Sequence, residues 1–412
     1  MSGRAIRIVL VIGCLRSGGA ERQVSVMANY WARRGSVVHL LTLDDGIEPP
    51  FYALDPAVVH RPIGPGPLSN SFIERRLHAF GQKRQASSRA RHSIFVALSL
   101  IQRIFALRTS IRECQADVVI SFVEMTNVTV LMAAVGMGIP VIVSERTDPS
   151  QYQIGRFWAA LRRLTYPRAS HVVVQTAAAL NYFPSHVRSL GRVIPNPTAV
   201  PRENVAGGDS GRVISTQRAL MAMGRLDQNK SFDLLIRVFS VLAPKHPEWT
   251  LEIWGDGPLR ESLETMVAQF GLQDRVRLPG TTKGPWQKMK CADLFVLSSR
   301  FEGFPNVLCE AMACGLPVIS FDCPSGPSEI IRDGIDGVLV PAGDVDALEA
   351  AISRLMDHPE ERERLAARAP EVLDRFGLGK VMAVWDELID EVRTGCQYDD
   401  SSGTRTVTDH KV

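Results

Sequence analysis

The sequence predicts an α/β protein built from two doubly wound domains in tandem, and three observations carry that expectation. Its 412 residues exceed what one ordinary core organises. Short β-branched runs alternate with helical patterns, the arrangement of a parallel sheet covered on both faces. The alternation breaks once, at a polar and glycine-rich stretch near the middle, and then resumes.

In the first half, Ile6 to Ile12, Val37 to Leu43, Val118 to Phe122, Val141 to Ser144 and His171 to Gln175 are continuous or nearly continuous apolar runs, as buried parallel strands are. Helices are expected over Ala20 to Arg34, before Cys114, over Val128 to Val135 and over Phe157 to Tyr166. After Ile194-Pro195-Asn196-Pro197, the residues Pro201, Gly207, Gly208, Asp209, Ser210 and Gly211 read as a linker. Strands then return at Ala219 to Met223, Leu251 to Trp254, Val276 to Leu278, Leu294 to Leu297, Val318 to Phe321 and Val338 to Val340. Helices from Val345 to Met356 and onward to Val392 follow the second sheet. The expected organisation is a first domain over 1–197, a linker over 198–218 and a second domain over 219–375. A helix over 376–396 returns to the first domain, and a disordered polar tail covers 397–412. Open parallel sheets bind ligands at the carboxyl ends of their strands, so the cleft where two such sheets face each other is the expected site.

Composition narrows the class. With 45% hydrophobic and 22% charged residues the chain reads as globular, and no apolar run reaches the roughly 18 to 20 residues of a membrane span. The N-terminal run from Arg4 to Cys14 has too short an apolar core for a signal peptide, and Arg16 stands where a small-residue cleavage site would be. Seven scattered cysteines lack metal or disulfide spacing, which points to a reducing cytoplasm. The net charge of +3 conceals a division: residues 1–200 carry 23 Lys and Arg against 11 Asp and Glu, the remainder 24 against 33. Between Arg61 and Arg112 the basic residues Arg61, Arg75, Arg76, Lys83, Arg84, Arg89, Arg91, Arg103, Arg108 and Arg112 face Glu74 alone.

Three post-strand turns carry chemistry. In Gly13-Cys14-Leu15-Arg16-Ser17-Gly18-Gly19-Ala20-Glu21, two glycines allow close backbone approach, and the following helix start suits an anion; a tight turn without a ligand has equal weight. In Met223-Gly224-Arg225-Leu226-Asp227-Gln228-Asn229-Lys230, Arg225 offers a planar fork for phosphate oxygens and Lys230 a point charge, two cations suited to one diphosphate. In Glu302-Gly303-Phe304-Pro305-Asn306-Val307-Leu308-Cys309-Glu310, Gly303 permits a turn, Pro305 suits a first helical turn, and free amides at Phe304, Asn306 and Val307 suit a phosphate. Glu302 can accept from sugar hydroxyls and Glu310 from ribose hydroxyls. Ordinary carboxylates near a helix start are the alternative.

Taken in order, Gly18-Gly19, Gly224-Arg225-Leu226 with Lys230, Gly255-Asp256-Gly257-Pro258, Glu302 with Glu310 at E-x7-E spacing, and Asp333-Gly334 with Gly337 resemble the retaining glycosyltransferases of family 4, which have the GT-B fold. The resemblance spans nearly the whole chain. It implies two Rossmann-like domains facing across a cleft, with Arg225 and Lys230 holding a donor diphosphate, Glu302 the donor sugar and Glu310 the ribose. The backbone of Gly303, Phe304, Pro305, Asn306 and Val307 would meet sugar and phosphates, Gly18, Gly19 and Gly224 would approach the donor, and Thr282 in Gly280-Thr281-Thr282-Lys283 would border the base. It implies no cofactor and no metal, the cations and helix end serving the leaving group, and transfer with retained configuration. Where many relatives place a histidine, this chain has Ser144-Glu145-Arg146, which resembles the subset that extends lipid-linked oligosaccharide, capsule or O-antigen precursors and makes these three residues acceptor-side candidates.

The basic stretch then acquires a meaning. Ile73, Leu77 and Phe80, then Ile94, Leu98, Ile101 and Phe105, recur at helical spacing among the arginines, so amphipathic helices could lie on an anionic leaflet with Arg75, Arg76, Lys83, Arg84, Arg89 and Arg91 toward lipid phosphate. A helix packed on the sheet with a solvated basic face has equal weight, and nucleic acid is disfavoured because no aromatic stacking pattern accompanies the charge. The leading expectation is a cytoplasmic, membrane-peripheral glycosyltransferase. It would use a nucleotide-sugar donor, UDP favoured over GDP, and a polyprenyl-diphosphate-linked or cell-surface glycan acceptor. A nucleotide-sugar epimerase and a non-catalytic nucleotide-sugar-binding protein are the alternatives.

Overall fold

Two parallel sheets, each made by strands that alternate with helices, organise the computed structural model, which describes residues 4–64, 89–152, 154–200 and 218–399, with the backbone alone for 89–98 and 396–399. Contacts divide the chain into two compact units, Met1–Ile194 with Met382–Val412, and Pro195–Val381. Arg75, Arg76, Lys83, Arg84 and most of the expected linker lie outside the described residues, as do the side chains of Arg89 and Arg91.

The first unit holds β1 (Arg7–Ile12), α1 (Gly19–Arg33), β2 (Val37–Thr42), β3 (Val58–Pro62), α2 (Arg89–Glu113), β4 (Val118–Phe122), α3 (Glu124–Ala133), β5 (Val141–Ser144), α4 (Arg156–Thr165), β6 (His171–Val174) and β7 (Gly191–Val193). Its strands run in the order β3-β2-β1-β4-β5-β6-β7. The central ones are apolar on both faces because helices cover both. Val119, Val141, Val143 and Val172 meet Leu107 and Ile111 of α2 and Val128, Val130 and Leu131 of α3 in one core cluster.

The second unit holds β8 (Arg218–Met223), α5 (Phe232–Leu242), β9 (Trp249–Trp254), α6 (Arg260–Gln269), β10 (Val276–Gly280), β11 (Leu294–Leu297), α7 (Asn306–Ala313), β12 (Val318–Asp322), β13 (Val338–Pro341) and α8 (Val345–Asp357). Its strand order is β10-β9-β8-β11-β12-β13. Leu235, Ile236 and Phe239 of α5 with Leu348 and Ile352 of α8 cover one face; Leu308, Ala311 and Met312 of α7 lie in a separate cluster with Phe295 and Leu297. The last described element is α9 (Leu378–Asp399). In the first unit, Trp385 of that helix stands edge-on to Trp31 of α1 at 6.4 Å, and the Trp31 Nε1 donates to Asp386 at 2.7 Å.

Two strands escape the sequence reading, β3 and β7. Both are edge strands, short and only partly buried, so they lack the continuous apolar signature. Arg61, counted with the basic stretch, is a β3 residue paired with Glu113. Gln397 to Asp399, expected in the tail, belong instead to the helix Leu378–Asp399, and the rest of that expected tail lies outside the described residues.

Candidate active site

In the second unit the carboxyl ends of β8 and β11 bring two of the expected residues together. After β8, Asp227 caps a single turn of 3-10 helix, its Oδ1 accepting from the amides of Asn229 at 3.1 Å and Lys230 at 3.4 Å. Ser231 then takes a left-handed conformation (φ 48°, ψ 41°) that starts α5 in a new direction. This turn aims Lys230 across the sheet edge, where its Nζ donates to Glu302 Oε1 at 2.5 Å. The two side chains are only 18% and 10% exposed.

The loop after β11 is fastened to the same turn. Asn229 Nδ2 donates to the Phe301 carbonyl at 2.9 Å, its Oδ1 accepts from the Phe301 amide at 3.2 Å, and Ser298 Oγ donates to the Lys230 carbonyl at 2.7 Å. Glycines let the strands' ends close up. A Cβ on Gly224 would stand 3.1 Å from Lys230 Cε, and one on Gly255, whose φ is +141°, would stand 1.8 Å from the Gly224 carbonyl oxygen. A larger residue at Gly255 would push the Lys230 turn away from its seat. Arg225 behaves differently: its side chain is 73% exposed, and among the described residues only the carboxylate of Asp227, 3.8 Å away, stands beside it. The guanidinium is thus free to swing toward an anion, whereas Lys230 is held.

Helix α7 begins at Asn306, with Pro305 at the cap position rather than in the first turn, and no side chain caps it. The Leu308 amide donates to the Pro305 carbonyl at 3.0 Å, and among the described residues the amides of Asn306 and Val307 are left to a ligand or to solvent. Gly326 (φ +108°) packs under Pro305, where a Cβ would come within 2.7 Å of the ring, and Asn196 Nδ2 donates to Asn306 Oδ1 at 2.7 Å. The Phe304 side chain is buried edge-on to Phe376 at 5.3 Å, leaving its backbone at the turn. Glu310 is 3% exposed within α7. Thr282 turns back on its own loop, accepting from the Gly284 amide at 3.0 Å. Burial pushes the thiols of Cys309, Cys314 and Cys323 each up to about 12, so none is a nucleophile near neutrality.

In the first unit Gly18 caps α1 in extended conformation, and a Cβ there would lie 2.1 Å from Glu21 Oε2. The Glu21 carboxylate thus folds back over its own helix start, and burial raises its pKa. An anion arriving at Gly18 and Gly19 meets a carboxylate already there, which must move or accept a proton.

The acceptor-side candidates occupy the end of β5. Glu145 is 1% exposed; Tyr166 donates its hydroxyl proton to Glu145 Oε1 at 2.5 Å, and Arg162 Nη1 stands 3.7 Å away. Burial pushes the Glu145 carboxyl up to about 7 despite Arg162, with Glu124 reinforcing the rise. Asn127 ties this group to the sheet, donating to the Ser144 carbonyl and to Tyr166, each at 3.1 Å, and accepting from Ser121. Arg146 lies over the Phe122 ring at 4.7 Å and near Trp385 at 6.0 Å, and burial pulls it down to about 9. Ser144 Oγ has no hydrogen-bond partner among the described residues. Glu145 and Arg146 are thus enclosed in the fold rather than displayed to solvent. Sequence reasoning missed Asn229, Ser298, Asn127, Arg162 and Tyr166, polar residues that hold others in place; only Asn229, lying within the Arg225 to Lys230 motif, carried any local signal.

Two family models match successive parts of the chain, a glycosyl transferase 4-like domain over residues 18–197 and glycosyl transferases group 1 over residues 210–372. An exopolysaccharide phosphotransferase of Streptomyces coelicolor is 32% identical over 390 residues, covering 91% of this chain; the chain spans 39% of that longer protein. An undecaprenol-linked glycan α-1,4-N-acetyl-D-galactosaminyltransferase of Campylobacter jejuni is 27% identical over 390 residues, 94% of this chain and 99% of the relative. Among solved structures, Anabaena Alr3699/HepE in complex with UDP matches with a TM-score of 0.69 at 17% identity over 94% of this chain and all of that one. Sucrose-phosphate synthase of Thermosynechococcus elongatus matches with a TM-score of 0.75 at 18% identity, over 94% and 99%. With its two parallel Rossmann-like sheets of GT-B type and this succession of domains, the chain belongs to the group 1, family 4-like glycosyltransferases.

Proposed function

We propose that this glycosyltransferase moves a hexose or N-acetylhexosamine from a UDP-sugar to a lipid-linked or cell-surface glycan, with retention of configuration and without a metal ion. The observation that carries the donor side is the Lys230 and Glu302 pair at the carboxyl edge of the second sheet, clipped in place by Asn229. The UDP bound in the Anabaena structure supports the base, and the undecaprenol-linked acceptor named for the Campylobacter relative supports the acceptor class.

In this reading Lys230 and the exposed Arg225 neutralise the leaving diphosphate together with the uncapped start of α7. Glu302, anchored by Lys230, orients the sugar hydroxyls; Glu310 meets the ribose, and Thr282 borders the base. The bond from the anomeric carbon to the diphosphate oxygen breaks as the acceptor oxygen attacks the same face, and the acceptor proton passes to the departing diphosphate. A double displacement would need a carboxylate close to the anomeric carbon, and Glu302 is engaged by Lys230. Ser144, Glu145 and Arg146 shape the acceptor end of the first sheet from beneath, through Tyr166, Arg162 and Asn127. The enzyme works at the cytoplasmic face of the plasma membrane, and the basic segment from Arg75 to Arg91 contributes to its attachment. Among the described residues no helix is long and apolar enough to cross a membrane.

Nucleotide release from a panel of UDP- and GDP-sugars, with and without membrane lipid extract, tests the proposal. Release of UDP that depends on lipid, with the product's anomeric configuration retained and the rate unchanged by a chelator, is expected. Conversion of the sugar without release would replace the proposal with the epimerase.

A further inference from the structure

Helix α4 turns an unusual face to solvent. Its exposed stripe, continued by the single 3-10 turn that follows, consists of Arg156, Phe157, Ala160, Arg163, Leu164, Pro167 and Arg168. The opposite side holds Trp158 and Leu161, which pack on the core of the first unit, and the buried Arg162 and Thr165. The helix thus satisfies its inward face with ordinary core residues and then adds a second apolar line outside, Phe157 and Leu164 at 54% and 66% exposure, two turns apart on one side. Each is preceded by an arginine. No acidic residue occurs between Ile154 and Arg168. Among the described residues Arg156 and Arg163 meet no carboxylate, and Arg168 is turned back on the Leu164 carbonyl at 2.8 Å.

A single exposed leucine needs no explanation. Here the apolar groups repeat with a helical period, alternate with unpaired cations, and have apolar company alongside. Helix α3, which packs between α2 and α4, exposes Met125 at 44%, and α2 exposes Ile101 at 48% and Phe105 at 65%. Tyr152, just before α4, is 46% exposed. A protein partner is met by apolar area with a mixed polar rim. An uncompensated row of arginines beside aromatic and aliphatic side chains instead fits an interface whose polar layer is anionic throughout and whose interior is apolar.

We propose that the α4 stripe is a membrane-contact face of the first unit, with Arg156, Arg163 and Arg168 on anionic lipid headgroups and Phe157 and Leu164 inserted below them. It lies apart in sequence from the Arg75 to Arg91 segment and gives the lipid-linked acceptor reading a defined surface. The inference rests on that reading for its purpose, but its test does not.

Sedimentation of the full chain with vesicles provides the test, using pure phosphatidylcholine against a mixture with about one third phosphatidylglycerol. The wild type is expected to bind the anionic vesicles, less at raised salt, and to bind the neutral ones at least tenfold more weakly. Phe157→Ser with Leu164→Ser, and separately Arg156→Gln with Arg163→Gln and Arg168→Gln, should each lower binding at least tenfold. UDP binding and thermal unfolding should stay as in the wild type, which shows that the variants fold. Equal binding to both vesicle types, unchanged binding of both variants, or a stripe variant that instead abolishes self-association would overturn the assignment. Loss of UDP binding by the wild type itself would count against the transferase reading and leave the lipid result standing.

Discussion

Removing one partner of the Lys230 and Glu302 pair should destabilise the second unit, and removing both should restore most of what was lost. The Glu302 side chain keeps a tenth of its surface in water, so after Lys230→Met its carboxylate stands desolvated without a cation. A charged hydrogen bond lost in this way costs about 1.5 to 3 kcal/mol. That is less than the roughly 3 to 5 kcal/mol for breaking a fully buried pair, because Lys230 lies near enough to solvent for water to follow. At about 2 to 4 °C per kcal/mol for a unit of this size, Tm should fall by roughly 3 to 12 °C. Glu302→Gln should cost less, since the 18% exposed ammonium can rehydrate. The double variant replaces the pair with neutral groups of similar volume and should lie within about 4 °C of wild type. Activity should behave oppositely, each single and the double variant losing about 100-fold or more in UDP release, as the donor role proposed for both groups requires. Calorimetry of the three variants beside a release assay decides it. Strict additivity in Tm, with the double variant as unstable as the summed singles, would refute the electrostatic account; near-normal release by the double variant would refute the donor role.

Glu145 supplies a pH test. Its folded pKa of about 7 lies above the ordinary carboxylate value, so between about pH 4.5 and 7 the folded chain binds more protons than the unfolded one and stability falls as pH rises through that window. Glu145→Gln should therefore gain Tm on wild type from pH 5 to pH 8, by up to the order of 3 kcal/mol; a constant difference across that range would contradict the assignment. Gly255→Ala should be poorly tolerated, because its Cβ would strike the Gly224 carbonyl at positive φ, and soluble protein with unchanged UDP affinity would refute the role of this close approach in seating Lys230. Trp385→Ala removes a fully buried indole, packed on Trp31, from the first unit and should cost about 3 to 5 kcal/mol in thermal or urea unfolding. A loss under 1 kcal/mol would mean α9 contributes little there.

What the sequence disclosed and what it hid separate along a physical line. Central strands such as Val118–Phe122, Val141–Ser144 and Leu294–Leu297 were readable to the residue, because burial on both faces keeps them apolar but for the small, buried Ser121 and Ser144. The edge strands β3 and β7 were not, since one side of an edge strand is free to carry Arg61, His60 or Arg192. Turns after central strands announced Lys230 and Glu302 by residue type and position. That the two meet could not be read, because 72 residues separate them and their approach depends on the β8 and β11 pairing and on Ser231 turning left-handed.

The same distinction explains why Glu145 and Arg146, acceptor-side candidates by their place after β5, gave no sign in the sequence of being enclosed. A charged residue at the carboxyl end of a parallel strand usually faces solvent or ligand, and sequence offers no sign when the next layer closes over it. Here that layer comes from residues distant in the chain, Tyr166 and Arg162 over Glu145 and Trp385 beside Arg146. Enclosing Glu145 raises its pKa to about 7 and leaves the Tyr166 hydroxyl and Arg162 bound to it, so its charge state sets how firmly β5 is tied to α4. If Glu145 acts on the acceptor only through this tie, Glu145→Gln should alter the KM for acceptor more than kcat, while Tyr166→Phe should reproduce the direction of that change without touching any carboxylate. A kcat loss in Glu145→Gln with Tyr166→Phe unaffected would instead mean that the carboxylate itself reaches the reacting groups.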